Sequence, residues 1–438
     1  MEKSIRPFHL AFFLSGSNGH GWGHAWAGNV GTEWMTPDQY VFVARELERG
    51  GLDYILLEDN VYIPDASGGN MDIYLKNGLS VPRRDPMMMA PYMLQATKHI
   101  GIVPTVSVFA YHPYLLARQL GSLDQMSKGR TGWNVVTGSS DRAVQNFGLD
   151  TMLEHDLRYD QAAEFLDLAN ALWDSWDPDA IVADVETGVL ADPTKVRTVD
   201  FEGTWYKSRG PLNSGPAPQG RPVVAQAGSS AKGRAFAAKY AETIVAEGGN
   251  LDYARTYREE VRAMAAANGR DPGEIKLMLI CSPIVGETEA DAAMKLQLRR
   301  EFNLKTAEQY LAVISKMTSI NFGAMDLDAP LDPNGLTTNG TQKTLDDFIR
   351  VNQGKTLRQA TADMREPDKR WVGTAKQIAD NMQAAMEHVG GDGFLLAGVI
   401  TRHYIVELVD GLIAELQQRG LTRRTYTGKT LRENLTEF

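Results

Sequence analysis

The segment that runs from Gln226 to Arg234 combines two glycines, two adjacent serines and two cationic side chains. Its apolar first part predicts the end of a strand and its remainder predicts the start of a helix, which would place Ser229 and Ser230 at a helix N-terminus. Free backbone N–H groups and the helix dipole make that position suitable for a phosphate. Simple helix capping explains the same serines equally well. The segment has neither the Lys-Ser/Thr ending of a P-loop nor GxGxxG spacing, which disfavours ATP and dinucleotide sites.

His155 and Tyr159 form a second candidate pair, four residues apart in the segment 152–173. The apolar periodicity of this segment predicts a helix, and on a helix that spacing puts both side chains on one face. An imidazole and a phenol on one face can hold a phosphate. A polar pair on a solvated helix face explains the same spacing and is the more common arrangement.

Short polar segments follow several apolar runs of the sequence. They contain hydroxyl, amide and carboxylate side chains and few cations, which suits hydrogen bonding to a polar, partly aromatic ligand. These segments are 58–60, 105–107, 134–140 and 227–230. Capping of strand ends accounts for part of this pattern.

A stretch rich in glycine and tryptophan follows the first apolar run and contains His20, Trp22, His24 and Trp26. His20 is a candidate for a catalytic role, and Trp22 and Trp26 are candidates for a substrate wall. An exposed loop histidine without function is the alternative. The sequence has no HExxH motif, no His/Cys cluster with metal-ligand spacing and no GxSxG, so we expect neither a metal site nor an α/β-hydrolase nucleophile.

Eight apolar runs predict the strands that position these groups. They are 8–14, 54–57, 101–107, 132–137, 222–227, 243–246, 276–285 and 393–400. Most of these runs are continuous rather than alternating, which is typical of strands buried on both faces of a parallel sheet. Amphipathic helical segments such as 37–49 and 251–268 lie between them. The pattern predicts an α/β fold and favours a (β/α)8 TIM barrel over a doubly wound sheet.

The spacing between the predicted strands is uneven. Strands four and five, and strands seven and eight, are separated by segments too long for plain crossovers. We therefore predict a single barrel domain over residues 1–438 with insertions at about 138–221 and 286–392. The second insertion carries predicted helices at 288–316 and 345–352. We expect its segment 321–343 to act as a lid.

The composition excludes several classes of protein. The 438 residues are 43% hydrophobic and 23% charged, with a formal net charge of -10. The cations are scattered, which argues against a nucleic-acid partner or an anionic membrane surface. The longest apolar stretch, 100–110, is too short to span a bilayer. The single cysteine, Cys281, lies in an apolar run and indicates a core thiol in a reducing cytoplasm.

Several segments together resemble one known family in order and spacing. They are RTGWNVVT at 130–137, NFG at 146–148, LEHDLRY at 153–159, PQGRPVVAQAGSS at 218–230, RRTY at 423–426 and TLRENL at 430–435. The resemblance extends from about Phe8 to Leu435. The family is the nitrilotriacetate monooxygenase component A and dibenzothiophene-sulfone monooxygenase group of the bacterial luciferase-like flavin monooxygenases.

The resemblance implies a two-component monooxygenase that takes reduced FMN (FMNH2) from a separate NAD(P)H:flavin reductase. In this family O2 adds to the bound flavin, and the resulting flavin peroxide oxygenates a small organic substrate. A homodimer or homotetramer is expected. A deazaflavin-dependent oxidoreductase of the same superfamily and a noncatalytic flavin-binding barrel are the alternatives.

The resemblance also suggests roles for individual residues. Asp59 would face the isoalloxazine side of FMN. The residues that would line the flavin are Thr105, Ser107, Asn134 and Thr137, and those that would hold its 5′-phosphate are His155, Tyr159, Ser229 and Ser230.

Overall fold

Eight parallel strands close into a barrel in which each strand pairs with the strands before and after it in the chain. The computed structural model describes residues 6–15, 31, 33–302, 306–363 and 368–438. The barrel strands are β1 (His9–Leu14), β2 (Tyr54–Leu57), β3 (Gly101–Ser107), β4 (Gly132–Val136), β5 (Val223–Gln226), β6 (Thr243–Glu247), β7 (Lys276–Cys281) and β8 (Gly393–Ala397). The predicted (β/α)8 TIM barrel is therefore confirmed.

Alternate residues of each strand face the inside and the outside of the barrel. The inner face forms a small apolar cluster in which Ala11, Leu56 and Met278 take part. The outer face joins a much larger cluster shared with the surrounding helices, to which Phe12, Ile55 and Leu279 belong. Because both faces are apolar, the strands read as continuous hydrophobic runs in the sequence.

The helices lie in the connections between the barrel strands and after the last strand. They are α1 (Asp38–Arg49), α2 (Asp72–Asn77), α3 (Pro86–Ala96), α4 (Pro113–Ser127), α5 (Asp141–Gln145), α6 (His155–Trp173), α7 (Ala231–Tyr240), α8 (Leu251–Ala267), α9 (Glu289–Phe302), α10 (Ala307–Thr318), α11 (Gln342–Val351), α12 (Leu357–Asp363), α13 (Ala375–Val389), α14 (Arg402–Glu407), a π-helix (Leu408–Ile413), α15 (Ala414–Gln418) and α16 (Leu431–Leu435).

Two predicted elements are divided in the structure. The run 276–285 ends as a barrel strand at Cys281, and Ile284–Gly286 pairs with Val372–Thr374 in a separate two-stranded sheet. The predicted helix 288–316 is two helices, because Thr306 and Gln309 form a capping box that starts α10. Apolar periodicity alone does not reveal either break.

Two long connections carry most of the structure outside the barrel. Between β4 and β5 lie α5, α6 and two antiparallel hairpins, Ile181–Asp184 with Val189–Ala191 and Phe201–Glu202 with Lys207–Ser208. Between β7 and β8 lie the small parallel sheet and α9 to α13. Helices α10 to α12 share their own apolar cluster, which includes Leu311 and Phe348. That these connections are insertions into one domain stays a prediction.

The amino end of the barrel is closed by the last residues of the chain. Helix α16 places Leu431 and Leu435 in the inner cluster of the barrel. Leu431 packs so tightly that a Cβ on Gly101, at the start of β3, would lie 2.7 Å from its Cδ1. Helix α16 therefore covers the amino end of the barrel interior.

Candidate functional site

The carboxyl ends of β3, β4 and β5 place an amide and a hydroxyl side by side. The strand register pairs Thr105 with Asn134, and Asn134 with Ala225. The Asn134 amide nitrogen donates a hydrogen bond to Thr105 Oγ1 at 2.8 Å. Asn134 is 6% exposed, and its Oδ1 has no hydrogen-bond partner within the part of the chain that the structure describes. A buried acceptor left unpaired in this way suits a ligand N–H group.

Gln226, the last residue of β5, presents a second such acceptor. Its side chain is buried, and its Oε1 also has no hydrogen-bond partner among the described residues. Ser107 ends β3 and Thr137 follows β4, and both side chains are partly exposed at the same edge of the barrel. Together with Asn134, these groups form a polar rim at the carboxyl end.

The turn after β5 leads directly into α7. Ser230 is the N-cap of this helix, and its Oγ accepts a hydrogen bond from Gly233 N at 3.1 Å. The Gly228 carbonyl accepts from the Tyr257 hydroxyl at 2.9 Å, and the Ser229 carbonyl accepts from Arg234 Nε at 2.9 Å. The turn is therefore held in place by its carbonyl oxygens, while the α7 N-terminus is directed towards the neighbouring helix α6.

Helix α6 brings His155 and Tyr159 to this turn. Their rings are 5.2 Å apart in an edge-to-face arrangement, and Tyr159 also contacts Phe236 of α7. Burial raises the pKa of the Tyr159 phenol, and side-chain hydrogen bonds with Ser230 and Gln226 partly oppose that rise. The phenol therefore stays protonated at neutral pH and can donate a hydrogen bond. His155 is partly exposed, and its Nδ1 lies 2.8 Å from Asp156 Oδ1.

Gly228 allows the turn to approach the phenol closely. A Cβ at this position would lie 2.2 Å from Tyr159 Oη and 2.2 Å from Gln226 Nε2. A Cβ at Gly233 would lie 2.9 Å from the same phenol oxygen. A side chain at either position would displace these polar groups, so the two glycines keep the cradle lined by hydroxyl groups and backbone N–H groups.

Asp59 lies beyond β2 on the other side of the barrel end. Burial, as the main cause, raises the pKa of its carboxyl to about 6, and the negative charges of Asp85 and Glu58 act in the same direction. Arg83 lowers that pKa, but its guanidinium is paired with the Glu58 carboxylate. Asp59 therefore exchanges its proton close to neutral pH.

Three residues at this end of the barrel were not singled out from the sequence. They are Gln226, Gly228 as a close-approach position, and Lys316 near the end of α10. Burial lowers the pKa of Lys316 to about 8, and its Nζ donates a hydrogen bond to Ser80 Oγ at 2.8 Å. A polar last residue on a buried strand was the available signal for Gln226, whereas nothing local marks Lys316.

The structure does not test every residue of the predicted site. His20, Trp22 and Trp26 lie outside the described residues, so their assignments stay predictions. Within the described ranges, no group of three or more His, Cys, Asp or Glu side chains is arranged to hold a metal ion. No described helix has the length and apolarity needed to cross a membrane.

The arrangement has two chemically different halves. One half is a cradle of serine hydroxyls, a phenol and an imidazole at the N-terminus of α7, which suits a phosphate group. The other half is a rim of unpaired amide acceptors and small hydroxyls, with a carboxyl that titrates near neutral pH. A ligand that carries a phosphate at one end and a planar, hydrogen-bonding ring at the other fits both.

Comparisons with known proteins identify the family of this chain. The family model described as luciferase-like monooxygenase matches residues 12–407. The chain is 37% identical over 442 residues to the dibenzothiophene-sulfone monooxygenase of Rhodococcus erythropolis (strain XP), which covers 98% of this chain and 96% of that protein. It is 32% identical over 406 residues to nitrilotriacetate monooxygenase component A of Aminobacter aminovorans, covering 90% of this chain and 89% of that protein. A crystal structure of riboflavin lyase with modified FMN and riboflavin superposes with a TM-score of 0.89 at 32% identity, covering 99% of this chain and 96% of that one.

Proposed function

This chain belongs to the luciferase-like monooxygenase family, and we propose that it is the oxygenase component of a two-component system. In this proposal a separate NAD(P)H:flavin reductase supplies reduced FMN, and the protein uses O2 to insert one oxygen atom into a small organic substrate. The observation that carries the proposal is the cradle around Gly228, where hydroxyl groups and a helix N-terminus adjoin a rim of amide acceptors that no described group satisfies. The similarity to a relative named component A supports the two-component arrangement.

The 5′-phosphate of FMN would be held at the cradle. Ser229, Ser230, Tyr159 and His155 would supply hydrogen bonds, and the N-terminus of α7 would supply backbone N–H groups and a favourable dipole. None of these four groups is a permanent cation. Such a site is suited to moderate affinity, which fits a cofactor that enters reduced and leaves oxidised.

The flavin ring would lie across the polar rim. The unpaired Asn134 Oδ1 and Gln226 Oε1 are acceptors for ring N–H groups, and Thr105, Ser107 and Thr137 line the same edge of the barrel. Asp59 would stand on the isoalloxazine side and hold a proton at its carboxyl below about pH 6. When bound, reduced FMN supplies the electrons that activate O2.

The protein's own contribution is to position the reactants and exclude water. Segment 321–343 packs over the α10 to α12 cluster through Phe322 and Leu331, and we propose that it is the lid of the site. A closed lid would keep water away from the reacting oxygen, which otherwise leaves as hydrogen peroxide.

Isotope labelling tests this function directly. The protein is mixed with FMN, NADH, a flavin reductase and 18O2, and a panel of sulfur compounds, amines and halogenated compounds is offered as substrates. We expect at least one product to contain a single 18O atom, formed only when all components are present. Absence of labelled product across the panel, despite FMN binding, contradicts the proposal and favours a noncatalytic flavin-binding barrel.

Spectral titration separates the alternative cofactor. We expect the absorbance or fluorescence of FMN to change on binding. A protein that binds a deazaflavin and does not respond to FMN is instead a deazaflavin-dependent oxidoreductase.

A further inference from the structure

Arg158 is a buried cation one residue before Tyr159. It is 4% exposed, and within the described part of the chain no carboxylate oxygen lies within 4 Å of its guanidinium nitrogens. Its Nε has no hydrogen-bond partner among the described residues either. Burial lowers the pKa of Arg158, with Tyr159 and Asp141 opposing that shift. A buried guanidinium without a direct ion pair is costly to the folded state.

The partners that Arg158 does have are neutral, and two of them belong to the candidate lid. Its Nη1 donates to Asn339 Oδ1 at 3.1 Å, and its Nη2 donates to the Asn339 carbonyl at 3.2 Å. Nη1 also donates to the Leu153 carbonyl at 3.2 Å. The planar fork of the guanidinium therefore joins the first turns of α6 to a segment 181 residues away in the chain.

Residues 338–341, which we call the strap, are also fixed at the end of α10. The Thr338 hydroxyl donates to the Thr318 carbonyl, and Thr341 N donates to the Met317 carbonyl at 2.9 Å. A Cβ on Gly340 would lie 2.7 Å from the Met317 carbonyl oxygen. The strap thus bridges α10 and α6, and Arg158, the chain neighbour of Tyr159, holds it on the α6 side.

The charge of Arg158 also acts on the cradle. It lowers the pKa of the Tyr159 phenol, which places that phenol within its electrostatic reach. An anion in the cradle would add negative charge within the electrostatic reach of Arg158, whose guanidinium nitrogens have no described carboxylate oxygen within 4 Å. The anion would then stabilise the Arg158 guanidinium, and the guanidinium would keep its hydrogen bonds to Asn339 of the strap.

We infer that Arg158 is a positioning residue that couples phosphate binding in the cradle to closure of the strap. Phosphate in the cradle stabilises the buried guanidinium in the orientation that holds Asn339, and the held strap in turn favours the occupied cradle. By linkage the two effects are equal in size. This inference rests on the proposed function, because it takes FMN to be the phosphate ligand.

Hydrogen exchange of the strap provides a test that does not depend on turnover. Amide exchange of peptides covering 338–341 is measured with and without FMN, oxidised and, under anaerobic conditions, reduced. In the wild-type protein we expect FMN to slow this exchange severalfold. In Arg158→Gln we expect the strap to exchange quickly whether or not FMN is present. Arg270→Gln is the matched control, since Arg270, which follows α8, also donates to two backbone carbonyls, those of Ala238 and Ala241 at the end of α7.

A double-mutant cycle on FMN affinity gives the second readout. We expect Asn339→Ala to weaken FMN binding about fivefold in the wild-type background, a typical size for coupling between sites. In the Arg158→Gln background the same substitution should have no further effect, because the connection is already lost. Gly340→Ala, which displaces the strap without touching Arg158, should weaken FMN binding similarly to Asn339→Ala.

Two results would overturn the coupling. One is wild-type strap exchange that FMN leaves unchanged, and the other is effects of Arg158→Gln and Asn339→Ala that simply add. If FMN does not bind the wild-type protein at all, the proposed cofactor is wrong. In that case the exchange is measured with inorganic phosphate alone. Slower strap exchange would still support the coupling, and unchanged strap exchange would refute the coupling too.

Discussion

Asp53 and Asp59 lie at opposite ends of strand β2, and the pKa values of their carboxyl groups are shifted in opposite directions. Burial alone would raise the pKa of Asp53, but the charges of His9 and Arg423 and the hydrogen bonds from His9 and Leu10 N outweigh it and lower that pKa. At Asp59 burial prevails and the pKa rises to about 6. At the amino end of the barrel, the partners of Asp53 therefore keep its carboxylate ionised. At the carboxyl end, the Asp59 carboxyl gains or loses its proton near pH 6.

The difference follows from what surrounds each carboxylate. Asp53 is 1% exposed, and its oxygens accept from Leu10 N at 3.1 Å and Arg423 Nη2 at 2.7 Å. Arg423 also donates to the Asn434 carbonyl at 2.7 Å, which ties α16 to the barrel. Near Asp59, the cation of Arg83 is already engaged by Glu58. The closed end is therefore organised for stability, and the open end retains polar groups that a ligand can use.

The largest effect should come from removing the charge at the closed end. Asp53→Asn leaves the buried Arg423 without its main counter-charge and should lower the free energy of unfolding by about 3–5 kcal/mol at pH 7. Urea or thermal unfolding of the two proteins measures this difference in the free energy of unfolding. A loss below 1 kcal/mol would show that the closed end does not depend on this ion pair.

The stability contributed by Asp53 should depend on pH in a direction set by its lowered pKa. A lowered pKa means that the stabilisation is fully present above the ordinary aspartate value of about 4 and is lost as the pH falls through the native value. The wild-type protein should therefore lose its advantage over Asp53→Asn only in strongly acidic solution, below about pH 4.

The second prediction concerns the cradle at the open end. Gly228→Ala places a methyl group 2.2 Å from the Tyr159 and Gln226 polar atoms, and it should weaken FMN binding at least about tenfold. Equilibrium dialysis or fluorescence titration measures the affinity. Gly249→Ala is the control, since a Cβ there meets no atom within 4 Å. Equal affinities of the two variants would show that FMN does not use the cradle.

The third prediction is that neutralising Asp59 stabilises the protein, whereas neutralising Asp53 destabilises it. Because burial raises the pKa of Asp59, its ionisation opposes folding, and the stability linked to it is lost as the pH rises from about 4 through 6. Asp59→Asn should therefore stabilise the protein by about 1–2 kcal/mol at pH 8 and have little effect at pH 4. Destabilisation at pH 8 would mean that the Asp59 carboxylate has an ionic partner in solution.

The smallest effect should come from a single hydroxyl. Tyr159→Phe and Ser230→Ala should each weaken FMN binding by about 1 kcal/mol, the usual net value of one hydrogen bond, and leave the unfolding free energy nearly unchanged. Tyr240→Phe is the matched control, because that hydroxyl donates to Asp167 at 2.8 Å outside the cradle. Unchanged affinity in both cradle variants would place the phosphate elsewhere.

The barrel could be predicted from the sequence because the pattern that marks each strand lies in neighbouring residues. Each strand is a short continuous apolar run, and all eight runs coincide with observed strands to within a few residues, except that 276–285 is divided. The division at Cys281 and the capped start of α10 at Thr306 depend on pairing and capping partners rather than on hydrophobicity, so periodicity alone could not reveal them.

The candidate site was accessible in part. The hydroxyls of Ser229 and Ser230 and the spacing of His155 and Tyr159 are visible in the sequence, and the structure brings these two segments together. Their cofactor roles stay predictions until binding is measured. Gln226 carried a weak local signal, and the close approach at Gly228 depends on a neighbour from another helix.

The sequence by itself determined the parallel barrel and the polar residues at its carboxyl end, because hydrophobic runs and strand ends are encoded by neighbouring residues. The tertiary structure decided which of these groups act together. The opposite pKa shifts of Asp53 and Asp59 depend on burial and on cations from distant segments. The contact between Arg158 and Asn339 spans 181 residues. Such effects depend on distances through space, which only the folded chain defines.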